Sequence, residues 1–292
     1  MSDDRWNFEF VNGEWVQKGH KLSSFYGAGL FYGAGCFETL LAENGRIYKY
    51  NDHIKRLLDG LRYLGRNEYS IPDSGEIREI ISEIIQKMKP ESGRCRIRIQ
   101  CSLPERGYNH SPNLDDSVNI HITVDELSTS IKKGIKLKTA DTRVVPAACK
   151  PAHLKLSNML HYRNAYNEAR RAGCDDALML NIKGHTAETS VANIFWMKDD
   201  QIYTPSAECD ILPGIMRNSV IDLLKISFSE KVIHDGEFNP SSLLDADIVW
   251  LTNSIIEICA VSHLDGKEIG QNSSFLSRLS DELSEYKNEH ME

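Results

Sequence analysis

The sequence predicts an α+β fold with two domains. The chain has 292 residues, a length that suits one large domain or two of ordinary size. Segments that alternate apolar and polar residues, typical of half-buried antiparallel strands, occur beside segments with the spacing of amphipathic helices. A polar stretch near the middle has the composition of a linker. We therefore place a small N-terminal domain at 1–125, a linker at 126–134 and a C-terminal domain at 135–292.

Composition and charge argue against several classes of protein. The chain is 41% hydrophobic and 26% charged, as expected for a globular protein, and its net charge of −8 disfavours nucleic acid and anionic membranes as partners. No apolar run approaches the ~20 residues of a membrane span, and the first residues do not resemble a signal peptide. Seven cysteines without CxxC pairs predict reduced thiols in a cytoplasmic protein. Because the histidines lack metal-ligand spacing, we expect no metal.

The N-terminal domain is predicted to combine an antiparallel sheet with two amphipathic helices. Asn12-Gly13 is a strong hairpin signal. Asn51 is placed to cap one helix with a single apolar stripe, and a second helix is expected over Asp73–Met88. The alternating segments at 94–101 and 118–124 predict paired strands, and we expect the arginines of the first segment to form a solvated face.

Lys155 is the residue on which the functional interpretation depends. It lies between Leu154 and Leu156, where burial would lower the pKa of an ammonium group and favour the nucleophilic amine. A helix with one apolar face follows it and ends at Gly173. Such an amine is what the aldehyde of pyridoxal phosphate (PLP) requires.

Two further features match the needs of PLP. Glu188 precedes an apolar strand; taken alone it would be an exposed hairpin charge, but a carboxylate beside the pyridine nitrogen of PLP would hold that nitrogen protonated. Gly214 opens a helix at Ile215 and Met216, where free backbone N–H groups and the helix dipole suit a phosphate. An amine, a carboxylate and a helix N-terminus together therefore indicate a PLP site.

These motifs resemble the fold-type IV PLP enzymes, the class-IV aminotransferase family. The likeness extends from about Gly27 to Val261. It rests on Gly33–Thr39, which resembles the family's GdGxFET segment; on His53, Arg56 and Leu57, which match an H-xx-R-L motif; on Gly184, Glu188 and Asn193; and on Trp250–Ile255, which matches a second phosphate-binding loop.

The resemblance implies a small N-terminal α/β sandwich-like domain, a larger C-terminal pseudo-barrel domain flanked by helices, and a homodimer. It implies that Lys155 carries the cofactor and is the catalytic residue. The other implied cofactor contacts are Arg56, Glu188, Ile215, Met216, Asn253 and Ser254. Met216 stands where the family often has threonine, so only backbone donors are carried over there. Expected substrate contacts are Phe37, Thr39, Arg106 and Tyr108, the last two in a loop that resembles the GRGY loop of the lyases.

The family contains branched-chain aminotransferases, D-amino acid aminotransferases and 4-amino-4-deoxychorismate lyases, which all act on small amines that carry a carboxylate. Leu160 stands where branched-chain aminotransferases usually have a tyrosine that contacts the PLP ring oxygen. Arg106-Gly-Tyr108 and Asn253 favour the lyase, whereas the run from Lys155 to Leu160 fits the lyases and the D-amino acid enzymes equally. We expect a lyase that forms 4-aminobenzoate and pyruvate in folate biosynthesis, with a D-amino acid or branched-chain aminotransferase as the alternative. A PLP-carrying or structural protein without activity is a third hypothesis, which a complete site disfavours.

Overall fold

A computed structural model of the chain describes residues 8–17, 27–104, 118–128, 134–270 and 273–292. The described residues form two compact units. The first contains 8–17, 27–104, 118–128, Leu154–Asn158 and Met291–Glu292, and the second contains 134–153 and Met159–His290. Lys155 thus belongs to the first unit, although the chain on both sides of Leu154–Asn158 belongs to the second.

The first unit is built on a six-stranded sheet in which all neighbours are antiparallel, in the order β2-β1-β6-β5-β3-β4. The strands are β1 (Phe8–Val11), β2 (Glu14–Gln17), β3 (Gly35–Glu43), β4 (Arg46–Ile47), β5 (Arg94–Ser102) and β6 (Asn119–Glu126). The predicted hairpin at Asn12-Gly13 and the pairing of β5 with β6 are confirmed. One apolar core lies between this sheet and two helices.

Three helices belong to the first unit: α1 (Ala28–Tyr32), α2 (Tyr50–Tyr63) and α3 (Ser74–Met88). Asp73 caps α3 through a capping box with Glu76, so the predicted start of this helix is confirmed. The prediction that Asn51 caps α2 is wrong. The cap is Lys49, and the Asn51 amide instead donates to the Glu292 carboxylate. The short helix α1 was not predicted.

The segment Leu154–Asn158 is held along β3 by backbone hydrogen bonds. The Phe37 N–H donates to the Lys155 carbonyl at 3.0 Å, and the Ser157 N–H donates to the Gly35 carbonyl at 2.8 Å. A Cβ on Gly35 would lie 2.4 Å from the Cys101 carbonyl oxygen, so this position requires glycine. Gly35 therefore lets β3 pack closely between β5 and the segment that carries Lys155.

The second unit contains a nine-stranded mixed sheet in the order β12-β11-β10-β13-β14-β7-β8-β9, with β15 paired to β14. Parallel pairs join β11 to β12, β14 to β7 and β7 to β8; the other pairs are antiparallel. The strands are β7 (Ile135–Thr139), β8 (Asp176–Leu180), β9 (Thr186–Thr189), β10 (Asn193–Lys198), β11 (Gln201–Pro205), β12 (Ile233–Gly236), β13 (Ile248–Asn253), β14 (Glu257–Leu264) and β15 (Lys267–Glu268). The helices are α4 (Leu160–Arg171), α5 (Ile215–Ser227) and α6 (Ser273–Glu289).

Within the described ranges, no helix is both long and apolar enough to cross a membrane. The same ranges contain no group of three His, Cys, Asp or Glu side chains that could hold a metal ion. All seven cysteines are described, and each is a free thiol.

Candidate active site

Lys155 lies beside an aromatic side chain of β3. The backbone pairing with β3 fixes its position, and its ammonium nitrogen is 5.1 Å from the centroid of the Phe37 ring. The flanking Leu154 and Leu156 are buried in the core of the first unit, and Lys155 between them is partly buried. The amine is thus presented from an extended segment rather than from a helix.

Arg56 projects from α2 to a buried carboxylate on β3. Its Nε and Nη2 donate to Oε1 and Oε2 of Glu38 at 2.6 and 2.9 Å, the bidentate geometry that suits a guanidinium. Oε2 of Glu38 is also 2.7 Å from Nδ1 of His53. Glu38 and His53 are fully buried, and the Arg56 side chain is 12% exposed. The H-xx-R-L motif and the FET motif therefore form one ion-paired cluster.

This cluster keeps the Glu38 carboxylate charged. Burial alone would raise the pKa of Glu38, but the charge and hydrogen bonds of Arg56, followed by the hydrogen bond of His53, hold that pKa far below its usual range. Burial lowers the pKa of His53. The Glu38 carboxylate raises this pKa, whereas the nearby cations Arg56 and Lys155 lower it. We therefore assign His53 as neutral, with its Nδ1–H donated to Glu38.

Phe37 and Thr39 point to the same face of β3, because side chains alternate along a strand. The guanidinium of Arg98, on β5, lies 4.0 Å from the centroid of the Phe37 ring, and its Nη2 donates to Gln100 Oε1 at 2.9 Å. Arg98 is exposed, as expected for the predicted solvated face, and it also stacks on an aromatic ring. Arg106 and Tyr108 lie outside the described residues, so their predicted substrate contacts stay predictions.

Glu188, in the second unit, lies on β9 and is 4% exposed. Its carboxylate accepts hydrogen bonds from the Tyr162 hydroxyl, from Asn193 Nδ2 at 3.1 Å and from the Leu212 N–H at 3.2 and 3.3 Å. These three donors are neutral and help to stabilise a carboxylate inside the protein, and the Lys150 ammonium also acts on Glu188 through its charge. The exposed hairpin charge that a lone glutamate would suggest is therefore not what forms here.

Gly214 is the N-cap of α5, as the sequence predicted. The side chains of Ile215 and Met216 are buried, so these two residues can offer a phosphate only their backbone N–H groups. A Cβ on Gly214 would lie 2.2 Å from Asn193 Oδ1. The glycine thus allows Asn193, a donor to Glu188, to pack directly against the start of the helix.

Asn253 ends β13 and organises the turn that follows. Its Oδ1 accepts from the N–H groups of Ile255 and Ile256, both at 2.8 Å, and its Nδ2 donates to the Val191 carbonyl at 3.0 Å. These contacts shape the loop that carries Ser254. A direct contact of Asn253 or Ser254 with a phosphate stays a prediction.

Each unit, taken by itself, contains groups of the kinds that bind PLP. The first unit supplies a primary amine at Lys155 and a guanidinium at Arg56. The second supplies a buried carboxylate at Glu188 and a helix N-terminus whose cap residue admits no side chain. PLP has an aldehyde, a basic ring nitrogen and a phosphate, and these groups can each be matched by one kind of partner in this list.

Sequence patterns did not reveal several residues of these clusters. Glu38 was part of a recognised motif, but nothing in its spacing indicated that it would pair with Arg56. The contact of Tyr162 with Glu188 joins α4 to β9 across 26 positions of sequence. A periodic pattern places Tyr162 on the apolar face of its helix but does not identify its hydroxyl partner.

Comparison with known proteins identifies the family of the chain. The family model described as Amino-transferase class IV matches residues 35–264. The "Aminodeoxychorismate lyase" of Bacillus subtilis (strain 168) is 28% identical over 280 residues, which cover 92% of each chain. The "Probable branched-chain-amino-acid aminotransferase" of Aquifex aeolicus is 30% identical over 282 residues, 90% of this chain and 86% of that one.

Solved structures show the same architecture. The T.th. branched-chain amino acid aminotransferase complexed with N-(5'-phosphopyridoxyl)-L-glutamate has a TM-score of 0.84 at 26% identity, with 97% of this chain and 94% of that chain covered. The same enzyme has also been solved with pyridoxamine 5'-phosphate, at a TM-score of 0.84 and 25% identity. The predicted fold class is therefore confirmed. The chain belongs to the class IV aminotransferase family, whose members are PLP-dependent enzymes.

Proposed function

We propose that this enzyme is a 4-amino-4-deoxychorismate lyase, which releases pyruvate from its substrate and leaves 4-aminobenzoate. The observation that carries the proposal is Leu160, the first residue of α4, whose side chain has no hydroxyl at the position where branched-chain aminotransferases usually have tyrosine. Two relatives named aminodeoxychorismate lyase, from Bacillus subtilis and Vibrio harveyi, support it at 28% identity each.

Lys155 performs the proton transfers in this proposal. When bound, PLP supplies an aldehyde that reacts with amines and a ring that delocalises negative charge. Lys155 Nζ would hold the cofactor covalently. The same Nζ would remove the proton from the amine-bearing carbon of the substrate and would return a proton as the products leave. Phe37 beside it limits the access of water to the amine.

Other residues bind and orient. Glu188 holds the proton on the ring nitrogen, and Arg56, Ser254, Asn253 and the first N–H groups of α5 at Ile215 and Met216 bind the phosphate. Phe37, Thr39, Arg106 and Tyr108 contact the substrate. Folate biosynthesis as the pathway, a homodimer and a cytoplasmic location complete the proposal; sedimentation of the purified protein would test the dimer.

The deciding experiment measures turnover without an amino acceptor. Purified holoenzyme should release pyruvate and 4-aminobenzoate from 4-amino-4-deoxychorismate over many cycles when no keto acid is added. An elimination restores the cofactor in each cycle, whereas transamination leaves it as an amine and needs a second substrate. A single conversion of the cofactor to its amine form, without release of pyruvate and reversed by addition of a keto acid, contradicts the lyase.

The second candidate is an aminotransferase, which the likeness to branched-chain aminotransferases favours. This candidate predicts that a branched-chain amino acid, or a D-amino acid such as D-alanine, converts the cofactor once to its amine form. Addition of 2-oxoglutarate should then restore it. If both reactions occur, the ratio of their kcat/KM values identifies the principal activity.

The assignment of Lys155 has its own test. Borohydride reduction of the holoenzyme should attach the cofactor irreversibly to Lys155, and Lys155→Ala should lose this adduct because no amine replaces it there. Peptide mapping by mass spectrometry identifies the modified residue, with Lys150→Ala as the matched control that keeps the adduct. An adduct on any other lysine refutes the assignment.

A further inference from the structure

Tyr162 contacts the carboxylate to which we assign the cofactor ring nitrogen, and neither the family motifs nor the comparisons give this tyrosine a role. Its hydroxyl donates to Glu188 Oε1. Asn193 and Leu212, which also donate to Glu188, are bonded to each other, since Asn193 Nδ2 donates to the Leu212 carbonyl at 2.8 Å. Tyr162 is therefore the donor that reaches Glu188 from α4, independently of the Asn193–Leu212 pair.

Neighbouring side chains hold the Tyr162 ring in place. The His161 ring packs on it with centroids 4.2 Å apart, and the Lys150 ammonium lies 5.8 Å from its centroid. Lys150 is 8% exposed, and Ala165 and Ala169 on the same helix are fully buried. A phenol fixed in this way presents its hydroxyl in one direction and loses little entropy when it donates to a carboxylate.

The direction of the hydrogen bond is defined by the chemistry of the pair. Burial, followed by the negative charge of Glu188, raises the pKa of Tyr162 well above its ordinary value. The proton thus stays on the phenol, and Glu188 is the acceptor. Because the hydrogen bond reaches Oε1 while Asn193 reaches Oε2, the two side chains oppose rotation of the carboxylate about its final torsion.

We infer that Tyr162 is a positioning residue, which holds the Glu188 carboxylate in the orientation needed to bond the ring nitrogen of PLP. The inference rests on the proposed role of Glu188. Without the Tyr162 hydroxyl, the carboxylate gains freedom to rotate and loses a donor in a buried setting, so the bond to the ring nitrogen weakens. The phosphate and aldehyde contacts use other residues and are unaffected.

Apoenzyme is the protein to test, with two probes that differ in one atom. The probes are PLP and the analogue in which a C–H group replaces the ring nitrogen. In Tyr162→Phe, which keeps the ring, the affinity for PLP should fall about five- to tenfold, because the hydrogen bond that orients Glu188 is lost. The affinity for the analogue should stay within about twofold of the wild-type value. Tyr166→Phe, a change on the same helix under the Arg163 guanidinium, is the control and should alter neither.

A second measurement separates positioning from general damage. In a Glu188→Gln background, Tyr162→Phe should cause no further loss of selectivity between the two probes, because the residue acts through Glu188. Equal weakening for both probes, or no change for either, overturns the inference. If wild-type apoenzyme itself does not distinguish the probes, the proposed role of Glu188 fails first and the inference falls with it.

Discussion

Two buried carboxylates, one in each unit, are satisfied in different ways. Glu38 is bonded by the Arg56 guanidinium and the His53 ring, so a full positive charge from the chain compensates it. Glu188 accepts from a phenol, an amide and a backbone N–H. The Lys150 ammonium also acts on Glu188 through its charge, but the side-chain and backbone groups that donate these hydrogen bonds to Glu188 are neutral. The contrast agrees with a structural role for Glu38 and with the proposed binding role of Glu188.

The largest effect is expected at Glu38. Glu38→Gln leaves the Arg56 charge largely buried without its partner, so the free energy of unfolding should fall by about 3–5 kcal/mol. Urea unfolding measures it. The control is Asp125→Asn, whose pair with Arg96 is 31% and 51% exposed and should cost less than about 1 kcal/mol. Equal costs at the two sites would remove the distinction between a buried structural pair and a surface one.

Arg56 has two roles, a structural one in its pair with Glu38 and a proposed one in binding the phosphate. Arg56→Ala should therefore lower stability as Glu38→Gln does, and also weaken PLP by roughly 1.5–3 kcal/mol, the range for hydrogen bonds to charged groups. Pyridoxal, which lacks the phosphate, separates the two effects: its affinity should change much less. A similar loss for both ligands would assign Arg56 to the structural cluster alone.

Gly214→Ala is expected to disturb the Glu188 side of the comparison. The added Cβ would meet Asn193 Oδ1 at 2.2 Å, so Asn193 must move away from Glu188 or α5 must shift, at about 1–3 kcal/mol of unfolding free energy. Thermal unfolding and PLP affinity should both decrease. Gly45→Ala tests whether any alanine in place of a glycine does the same, since there a Cβ meets nothing within 4 Å and only its φ of +80° is unfavourable.

Glu188→Gln should separate stability from activity. The neutral amide can still accept from Tyr162, so we expect unfolding free energy to fall by only about 1 kcal/mol. Turnover should nevertheless be lost, because an amide does not hold the ring nitrogen protonated. Comparison of kcat with PLP occupancy measures this. Wild-type kcat in Glu188→Gln would contradict the binding role, and a stability loss as large as that of Glu38→Gln would erase the contrast.

Local patterns predicted the elements that local forces define. The amphipathic pattern over Asp73–Met88 predicted α3, and Asn12-Gly13 predicted the hairpin, because helix periodicity and turns depend on neighbours in sequence. Lys155, Arg56 and Glu188 were identified through resemblance to a family. The partners of these residues were not predicted, since Glu38–Arg56 and Tyr162–Glu188 form only when distant elements pack.

The placement of Lys155 illustrates the same limit. It follows the predicted linker, so sequence order assigns it to the C-terminal domain. In the structure, Leu154–Asn158 bonds to β3 and belongs to the first unit. Backbone pairing between segments more than a hundred positions apart leaves no signal in either segment alone. The prediction for Asn51 was wrong for a related reason. Its amide donates to the carboxylate of Glu292, 241 positions away in sequence, instead of capping α2.

The smallest expected effect concerns His161, next to Tyr162. Burial, followed by the charge of Lys150, lowers the pKa of His161 from 6.5 to about 4. The unfolded chain binds a proton there near pH 6.5, whereas the folded chain does so only near pH 4, so protonation in this window favours unfolding. Stability should fall as the pH decreases through this window, by about 1 kcal/mol or less because the ring is partly exposed.

His161→Phe, which keeps a ring against Tyr162, should flatten this part of the curve of urea midpoint against pH, while His153→Phe at an exposed position should not. An unchanged slope in His161→Phe would mean that this ring titrates alike in both states and that the surroundings of Tyr162 are more hydrated than its packing indicates.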